Sequence, residues 1–341
     1  MDKLIDKKQI ELFNSVVEEA QKIVIVPHVN PDGDAIGAAL GLWQALKNMK
    51  KHVEVVVPND FPEFLQWING SSGVLDFEKD KVKAQDIFDG ADTLIVVDFN
   101  DFERAEHMSG TLLGFKGTRV MIDHHPHPVA KCELMFSYPE ISSTCELIFR
   151  ILSQAGKQQF IDVNSAEAIF TGMMTDTGNF SYNANTPDTY HIIGELLKKG
   201  IDKDKVHSNV YHTFSENRWR LIGHSLKEKM VILPEYNTGY ISLSNEELAK
   251  FDFQPGDTEG LVNYPLMVKD IVFSVLFTEK DDLVKLSLRS KGEFSANQFA
   301  REHFNGGGHN NAAGGKTTLK IDEAVEKFRS LLPQYLSSLK S

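Results

Sequence analysis

Ile23-Val24-Ile25-Val26-Pro27 runs straight into His28-Val29-Asn30-Pro31-Asp32-Gly33-Asp34, and the rest of the chain reads outward from this stretch. The first five residues form a short, continuous β-branched run. Such a run is expected of a strand buried on both faces. The next seven are polar and carry Asn-Pro and Asp-Gly, which are turn chemistry. Ala35 to Met49 then places Ile36, Ala39 or Leu40, Trp43 and Leu46 on one helical stripe. Strand, polar turn and helix in that order predict a βα unit, with the turn at the carboxyl end of the strand.

Further units follow the same grammar. His52–Val57 and Thr93–Val97 read as strands, the second ending at Asp98. Arg119–Ile122 reads as another, ending at Asp123-His124-His125. Helices are expected over residues 8–21, 61–68, from about 144, and over 162–174, 187–199 and 202–211, with Gly200 as a stop signal. Strands alternating with helices predict an α/β fold with a mainly parallel sheet. The polar stretch 215–229 reads as a helix joining two domains. Beyond it, strands are expected at 239–243, 270–278 and 283–289, and helices near 295–303 and 321–338. The organisation expected is residues 1–212 as a catalytic domain, 213–229 as a helical connector and 230–341 as a smaller α/β substrate-binding domain.

At 341 residues the chain is long enough for two domains. Its two cysteines, Cys132 and Cys145, exclude a disulfide framework and a Cys-rich zinc module. No apolar run reaches the roughly 20 residues a membrane span needs. The charged start also lacks the apolar stretch of a signal peptide, so a cytoplasmic location is expected. The net charge of −12 argues against a non-specific binder of long nucleic acid. Residues 1–220 alone hold 22 Lys+Arg against 32 Asp+Glu. An acidic domain can nevertheless take phosphates if its carboxylates hold divalent ions, because each ion reverses the local sign.

The acids have that character. Three buried strands end in acids or histidines: His28 to Asp34, Asp98, and Asp123-His124-His125. Ligands of open α/β sheets bind outside the carboxyl ends of the strands, so these tips can converge. Asp176 lies in a fourth polar stretch, Thr175 to Asn179, expected to be a turn. Singly, each is an ordinary turn former or helix cap; four at the mouth of one sheet are not. Carboxylates with a minority of imidazoles suit Mn2+, with Mg2+ or Co2+ as alternatives. Five to seven ligands are too many for one open ion. They suit a pair about 3.5–4 Å apart.

Four segments, HVNPDGDAIGAALGL, VVDFND, MIDHHPHP and TGMMTDTGNF, resemble the four motifs of the DHH phosphoesterase superfamily. RSKGEFSANQFAREHFNGGGHNNAAGG resembles its nucleic-acid-binding companion, the DHHA1 domain. GDTEGLVNYPL (256–266) and STCELIF (143–149) narrow the likeness to the bifunctional oligoribonuclease and pAp-phosphatase family, the nanoRNases. The resemblance spans about residues 20–315.

That resemblance implies one metal held by His28, Asp32 and a bridging Asp98, and a second held by Asp34, Asp98, His124 and Asp176. It implies that Asp123 orients a metal-holding imidazole. His125 would contact the scissile phosphate or give a proton to the leaving oxygen. Arg104 offers a bidentate fork for phosphate. Phe180 and Tyr182 are candidates for stacking on a base, with core packing as the plainer fate of Phe180. In the second domain, Gly306-Gly307-Gly308-His309, beside Arg289-Ser290, reads as a backbone cradle for phosphate or nucleobase. The fold analogy implies a cleft between the domains that favours short substrates.

The function expected is hydrolysis of oligoribonucleotides of about two to five nucleotides by the family resemblance, with pAp 3′-phosphatase activity beside it. Long duplex and membrane partners are not expected, and a homo-oligomer is left open. A family-II inorganic pyrophosphatase would lack Gly306–His309. A RecJ-type exonuclease would carry an additional barrel. Cyclic-dinucleotide phosphodiesterases usually bear membrane or sensory segments. A non-enzymatic nucleotide-binding module would not need six intact metal-binding positions.

Overall fold

Apolar residues on both sides of each strand force helices onto both faces of the first sheet, and this sets the architecture. The computed structural model describes residues 4–340. By its internal contacts the chain divides into one unit ending at Thr213 and a second beginning at Phe214.

The first unit runs α1 (Lys7–Glu19), β1 (Lys22–Val26), α2 (Gly33–Asn48), β2 (His52–Val57), β3 (Leu75–Asp76), α3 (Lys81–Gly90), β4 (Thr93–Val97), α4 (Ser109–Gly114), β5 (Thr118–Asp123) and β6 (Leu134–Ser137). Four helices complete it: α5 (Thr144–Gln154), α6 (Val163–Asp176), α7 (Pro187–Lys198) and α8 (Lys203–Tyr211). The strands form one sheet in the order β3-β2-β1-β4-β5-β6, and every pairing is parallel. This is the order of a doubly wound sheet, whose strand sequence reverses between β1 and β4. Alternation in β1 shows the two-faced burial: Ile23 and Ile25 join one core cluster with α2, α5 and α6, while Val24 and Val26 join another with Phe88, Phe99 and Phe102.

Several elements differ from expectation. Residues 61–68 make only a short 3-10 turn at Glu63–Leu65. The strands β3 and β6 and the helix α3 carried no strong periodic signal. Asp176, expected in a turn, is the last residue of α6.

The second unit runs α9 (Glu216–His224), β7 (Met230–Leu233), β8 (Thr238–Leu243), α10 (Asn245–Lys250), β9 (Phe273–Lys280), β10 (Leu283–Ser290), α11 (Ala296–His303), β11 (Gly307–His309), β12 (Ala312–Thr317), α12 (Ile321–Leu331) and α13 (Leu336–Leu339). Its sheet order is β11-β12-β10-β9-β8-β7, antiparallel except for β8 beside β9. Phe273, Phe277, Phe299, Phe304 and Phe328 fill one face. On the other, Leu221 and Ile222 of α9 pack with Ile241, Leu243 and Leu276. The segment 213–229, expected as a connector, therefore shares a core with the second sheet through Leu221, Ile222 and Leu226. The helix expected over 321–338 stops at Leu331, where Pro333 removes a backbone donor and the chain tightens into a 3-10 turn before α13. No helix among the described residues is long and apolar enough to cross a membrane.

Candidate metal centre

The switch between β1 and β4 leaves a crevice at the carboxyl ends of β1, β4 and β5, and the sequence loads it with acids and imidazoles. From β1 come His28, Asp32 and Asp34. Asp32 is the N-cap of α2: its Oδ1 accepts from the backbone N–H groups of Asp34 and Ala35, at 3.0 Å each. A cap here is not the innocent alternative to a ligand, since the same Oδ1 lies 4.0 Å from His28 Nε2.

Asp98 follows β4 with a left-handed φ of 65°, uncommon outside Gly, Asn and Asp, which turns its side chain back over the strand ends. Its two oxygens face different histidines. Oδ2 lies 3.4 Å from His28 Nε2, and Oδ1 lies 3.7 Å from His124 Nε2. His124 Nε2 is also 3.8 Å from Asp34 Oδ2 and 3.5 Å from Asp176 Oδ2. Two groups result, His28/Asp32/Asp98 and Asp34/His124/Asp176, in each of which the ligand atoms lie within 4.8 Å of one another.

Both imidazoles are oriented by backbone carbonyls. His28 Nδ1 lies 2.8 Å from Val29 O, and His124 Nδ1 lies 3.1 Å from Ile141 O. A proton donated at Nδ1 leaves the Nε2 lone pair to face the acids, the tautomer a metal-holding histidine needs. Asp123, expected to orient an imidazole that holds metal, has an imidazole as its neighbour. Its Oδ1 contacts His125 Nδ1 at 2.7 Å, so it orients His125.

The electrostatics favour added positive charge. Burial, then the neighbouring Asp98 and Asp176, push the Asp34 carboxyl well above its usual range. Burial alone would lower the pKa of His124, but Asp176, Asp34 and Asp98 override it and raise it to about 9. Asp98 moves the other way: burial opposes ionisation, yet His28, His125 and His124 hold it below the usual carboxylate range. Asp176 also sits at the C-terminal end of α6, where the helix dipole disfavours an anion. Asp123 Oδ2 is buried without a hydrogen-bond partner. A crowd of acids whose charge is balanced by imidazoles, with ring nitrogens directed at the gap, fits divalent cations.

Sequence reasoning missed α5 altogether as part of this centre. Thr144 Oγ1 donates to Asp98 Oδ1 at 2.9 Å. The backbone N–H groups of Thr144 and Cys145 donate to Asp34 Oδ2 and Oδ1, at 2.7 and 3.0 Å. The signals there were a helix-start pattern at Ser143–Glu146 and the family likeness of STCELIF (143–149), neither of which assigns these residues a role in the centre.

Arg104 lies on the rim. Its carbonyl accepts from Val29 N–H at 2.9 Å, and its charge acts on His28. Gly178, Asn179 and Phe180 follow Asp176 with three successive left-handed φ values near 54–61°. Phe180 packs on Phe170 at 5.7 Å and against the core, while Tyr182 is exposed.

In the second unit the glycine run is not a loop. Gly307–His309 form the edge strand β11, paired with β12. Packing requires two of the three glycines: a Cβ on Gly306 would lie 2.0 Å from Gly314 O, and one on Gly308 2.5 Å from Ala312 O, whereas one on Gly307 would meet nothing nearer than 3.8 Å. Ser290 is buried, its hydroxyl donating to Phe294 O and accepting from Asn311, so it braces the hairpin from within. Arg289, next to it, keeps Nη1 on Leu288 O.

Known proteins share this arrangement. The family model described as "DHH family, N-terminal domain" matches residues 22–173, and the DHHA1 domain matches 238–338. The chain thus carries a DHH domain followed by a DHHA1 domain. It is 29% identical to the bifunctional oligoribonuclease and PAP phosphatase NrnA of Thermus thermophilus, over 92% of this chain and 90% of that one. It is 28% identical to the protein of the same name from Bacillus subtilis, covering 86% and 88%. The crystal structure of an exopolyphosphatase-related protein from Bacteroides fragilis superimposes with a TM-score of 0.96, at 46% identity over the whole of both chains. The DHH match runs from β1 into α6 and takes in His28, Asp32, Asp34, Asp98, Asp123, His124 and His125, while Asp176 lies three residues beyond it.

Proposed function

We propose that this protein is a two-metal phosphoesterase. It hydrolyses short oligoribonucleotides to mononucleotides and removes the 3′-phosphate of pAp. The observation that carries the reading is Asp98, whose two oxygens face two imidazoles of fixed orientation and so suit a carboxylate shared by two ions. The names of the Thermus and Bacillus relatives, each matched along most of its length, support the choice of substrate.

His28, Asp32 and Asp98 would hold one ion, and Asp34, Asp98, His124 and Asp176 the other, with Mn2+ preferred by the donor set over Mg2+ or Co2+. Bound there, two divalent ions lower the pKa of water and neutralise charge on the phosphoryl oxygens. The chain's own groups do the rest. Asp123 holds His125 by Nδ1, leaving Nε2 as the nitrogen that exchanges a proton. As the bond from phosphorus to the leaving oxygen breaks, His125 gives that oxygen its proton. Arg104 binds a phosphate oxygen beside His28. The hairpin of Gly306, Gly307, Gly308 and His309, with Arg289, grips the nucleotide away from the scissile bond. A phosphodiester and the 3′-phosphate of pAp both present phosphorus bound to an alkoxide leaving group, so one centre serves both.

The test is product analysis of a 5′-phosphorylated diribonucleotide incubated with the protein and Mn2+, with and without EDTA. Metal-dependent release of mononucleotides is expected. No cleavage by a metal-loaded protein would overturn the oligoribonuclease reading and move the weight to pAp, cyclic dinucleotides or pyrophosphate.

A further inference from the structure

We infer that Thr144 is a positioning residue that locks both kinds of metal-holding carboxylate in place, and so sets divalent-ion affinity without touching an ion. The inference rests on the two-ion reading above.

Thr144 is the first residue of α5 and is fully buried. Three hydrogen bonds leave its immediate neighbourhood for the acids. Its N–H and that of Cys145 take one oxygen each of Asp34, fixing the plane of that carboxylate. Its hydroxyl takes Oδ1 of Asp98. An ionised carboxylate only accepts, so the hydroxyl proton must point at Asp98. Each carboxylate oxygen has two acceptor positions. One on each contacted oxygen is filled by α5, and the rest face the imidazoles and the space between them. A single residue thus ties the acid at the end of β4 to the acid at the start of α2.

Asp98 needs the tie more than Asp34 does. Its backbone is left-handed, and besides the Thr144 hydroxyl its side chain faces only groups that can themselves turn, the imidazoles of His28, His124 and His125. Removing the hydroxyl deprives the buried Asp98 Oδ1 of its neutral donor and loosens the orientation of that carboxylate. Thr144 itself cannot drift. Ser143 caps α5 by accepting from Glu146 N–H at 3.0 Å. Glu146, also buried, accepts from Ser142, Thr189 and both Nε and Nη2 of Arg150. That network clamps the helix start against α7, whose first turn holds Thr189.

The experiment is calorimetric titration of the substrate-free full chain with Mn2+, on the wild type, Thr144→Val and Thr144→Ser. Valine keeps the shape and the backbone N–H but removes the hydroxyl. The wild type is expected to take two ions. Thr144→Val should lose about 10- to 100-fold in affinity for at least one, as is typical when a group orienting a ligand is removed. Thr144→Ser, which keeps the donor, should bind like the wild type. A role confined to folding would shift the melting temperature in EDTA and leave both Mn2+ affinities unchanged. That result overturns the inference, as does a serine variant as weak as the valine one. A wild type that takes fewer than two ions overturns the two-ion reading itself. Should Thr144→Val not fold, as judged by circular dichroism in EDTA, Thr144→Ala lacks the same hydroxyl and the same titration decides.

Discussion

Asp98 concentrates the chemistry of the site in one side chain. It is buried, left-handed in backbone, bonded by Thr144 and faced by three imidazoles. A non-glycine residue held in that conformation costs on the order of 1 kcal/mol, and such strain collects at functional sites. Here it has a geometric use: the turn presents each carboxylate oxygen to a different metal-ligand group. Asp98→Ala removes both contacts at once. We expect kcat/KM on a diribonucleotide with Mn2+ to fall by at least about 10³-fold, or about 4 kcal/mol of transition-state stabilisation. A purified, folded Asp98→Ala enzyme keeping more than about a tenth of the wild-type rate would show that the ions do not share this ligand.

At the scale of elements, the contact between α2 and α6 brings the acids together. Their register is antiparallel: a Cβ on Gly33 would meet Thr175, one on Gly37 would meet Ala168 O at 2.6 Å and Gly172 N at 3.0 Å, and one on Gly41 would meet Ile169. The helices touch through backbone, so Asp34 at the start of α2 and Asp176 at the end of α6 reach the same imidazole. Gly37→Val must push α6 away. Overpacking of this kind costs typically about 1–3 kcal/mol. The expected outcome is a lower melting temperature in EDTA together with weaker Mn2+ binding, because separating the helices separates the carboxylates. Gly194→Ala, on α7 with open space around it, should leave Mn2+ binding unchanged and hold or raise stability. Equal Mn2+ affinity for Gly37→Val and wild type would remove the helix contact from the account.

The same elements show what a sequence carries and what it does not. Thr93–Val97 was legible to the residue because a strand buried on both faces has no polar position to blur it. Each acid at a strand tip was legible because the tip follows the strand. Gly307–His309 was not, since glycine has low strand propensity and its place there is decided by the backbone of β12 opposite. Thr144 was not legible either. Its bond to Asp98 crosses 46 positions and its N–H bond to Asp34 crosses 110, and no local pattern announces either. The bond of Asp123 to His125, two residues on, was hidden for a related reason, since it depends on which way the chain leaves β5.

Across the whole molecule, apolar burial falls into separate sets. Among the described residues, the clusters around the parallel sheet draw on residues up to Tyr211, and those around the mixed sheet on residues from Leu221 onward. The proposed metal ligands all lie in the first unit. An ion that binds only the folded state stabilises by RT ln(1 + [L]/Kd), about 2.7 kcal/mol per site at a hundredfold excess over Kd. Two sites would add about 5 kcal/mol to the first unit alone. In a body of about 200 residues each kcal/mol moves the midpoint by about 2–4 °C. Scanning calorimetry of the full chain should therefore show one transition rising by about 10 °C or more between EDTA and Mn2+, while a second stays in place. The second transition should also be the one unmoved in Asp98→Ala, whose first transition should lose most of its response to Mn2+. If both transitions rise equally with Mn2+ in the wild type, ions bind outside the Asp98 centre as well, and the assignment of both metals to the ends of β1, β4 and β5 fails.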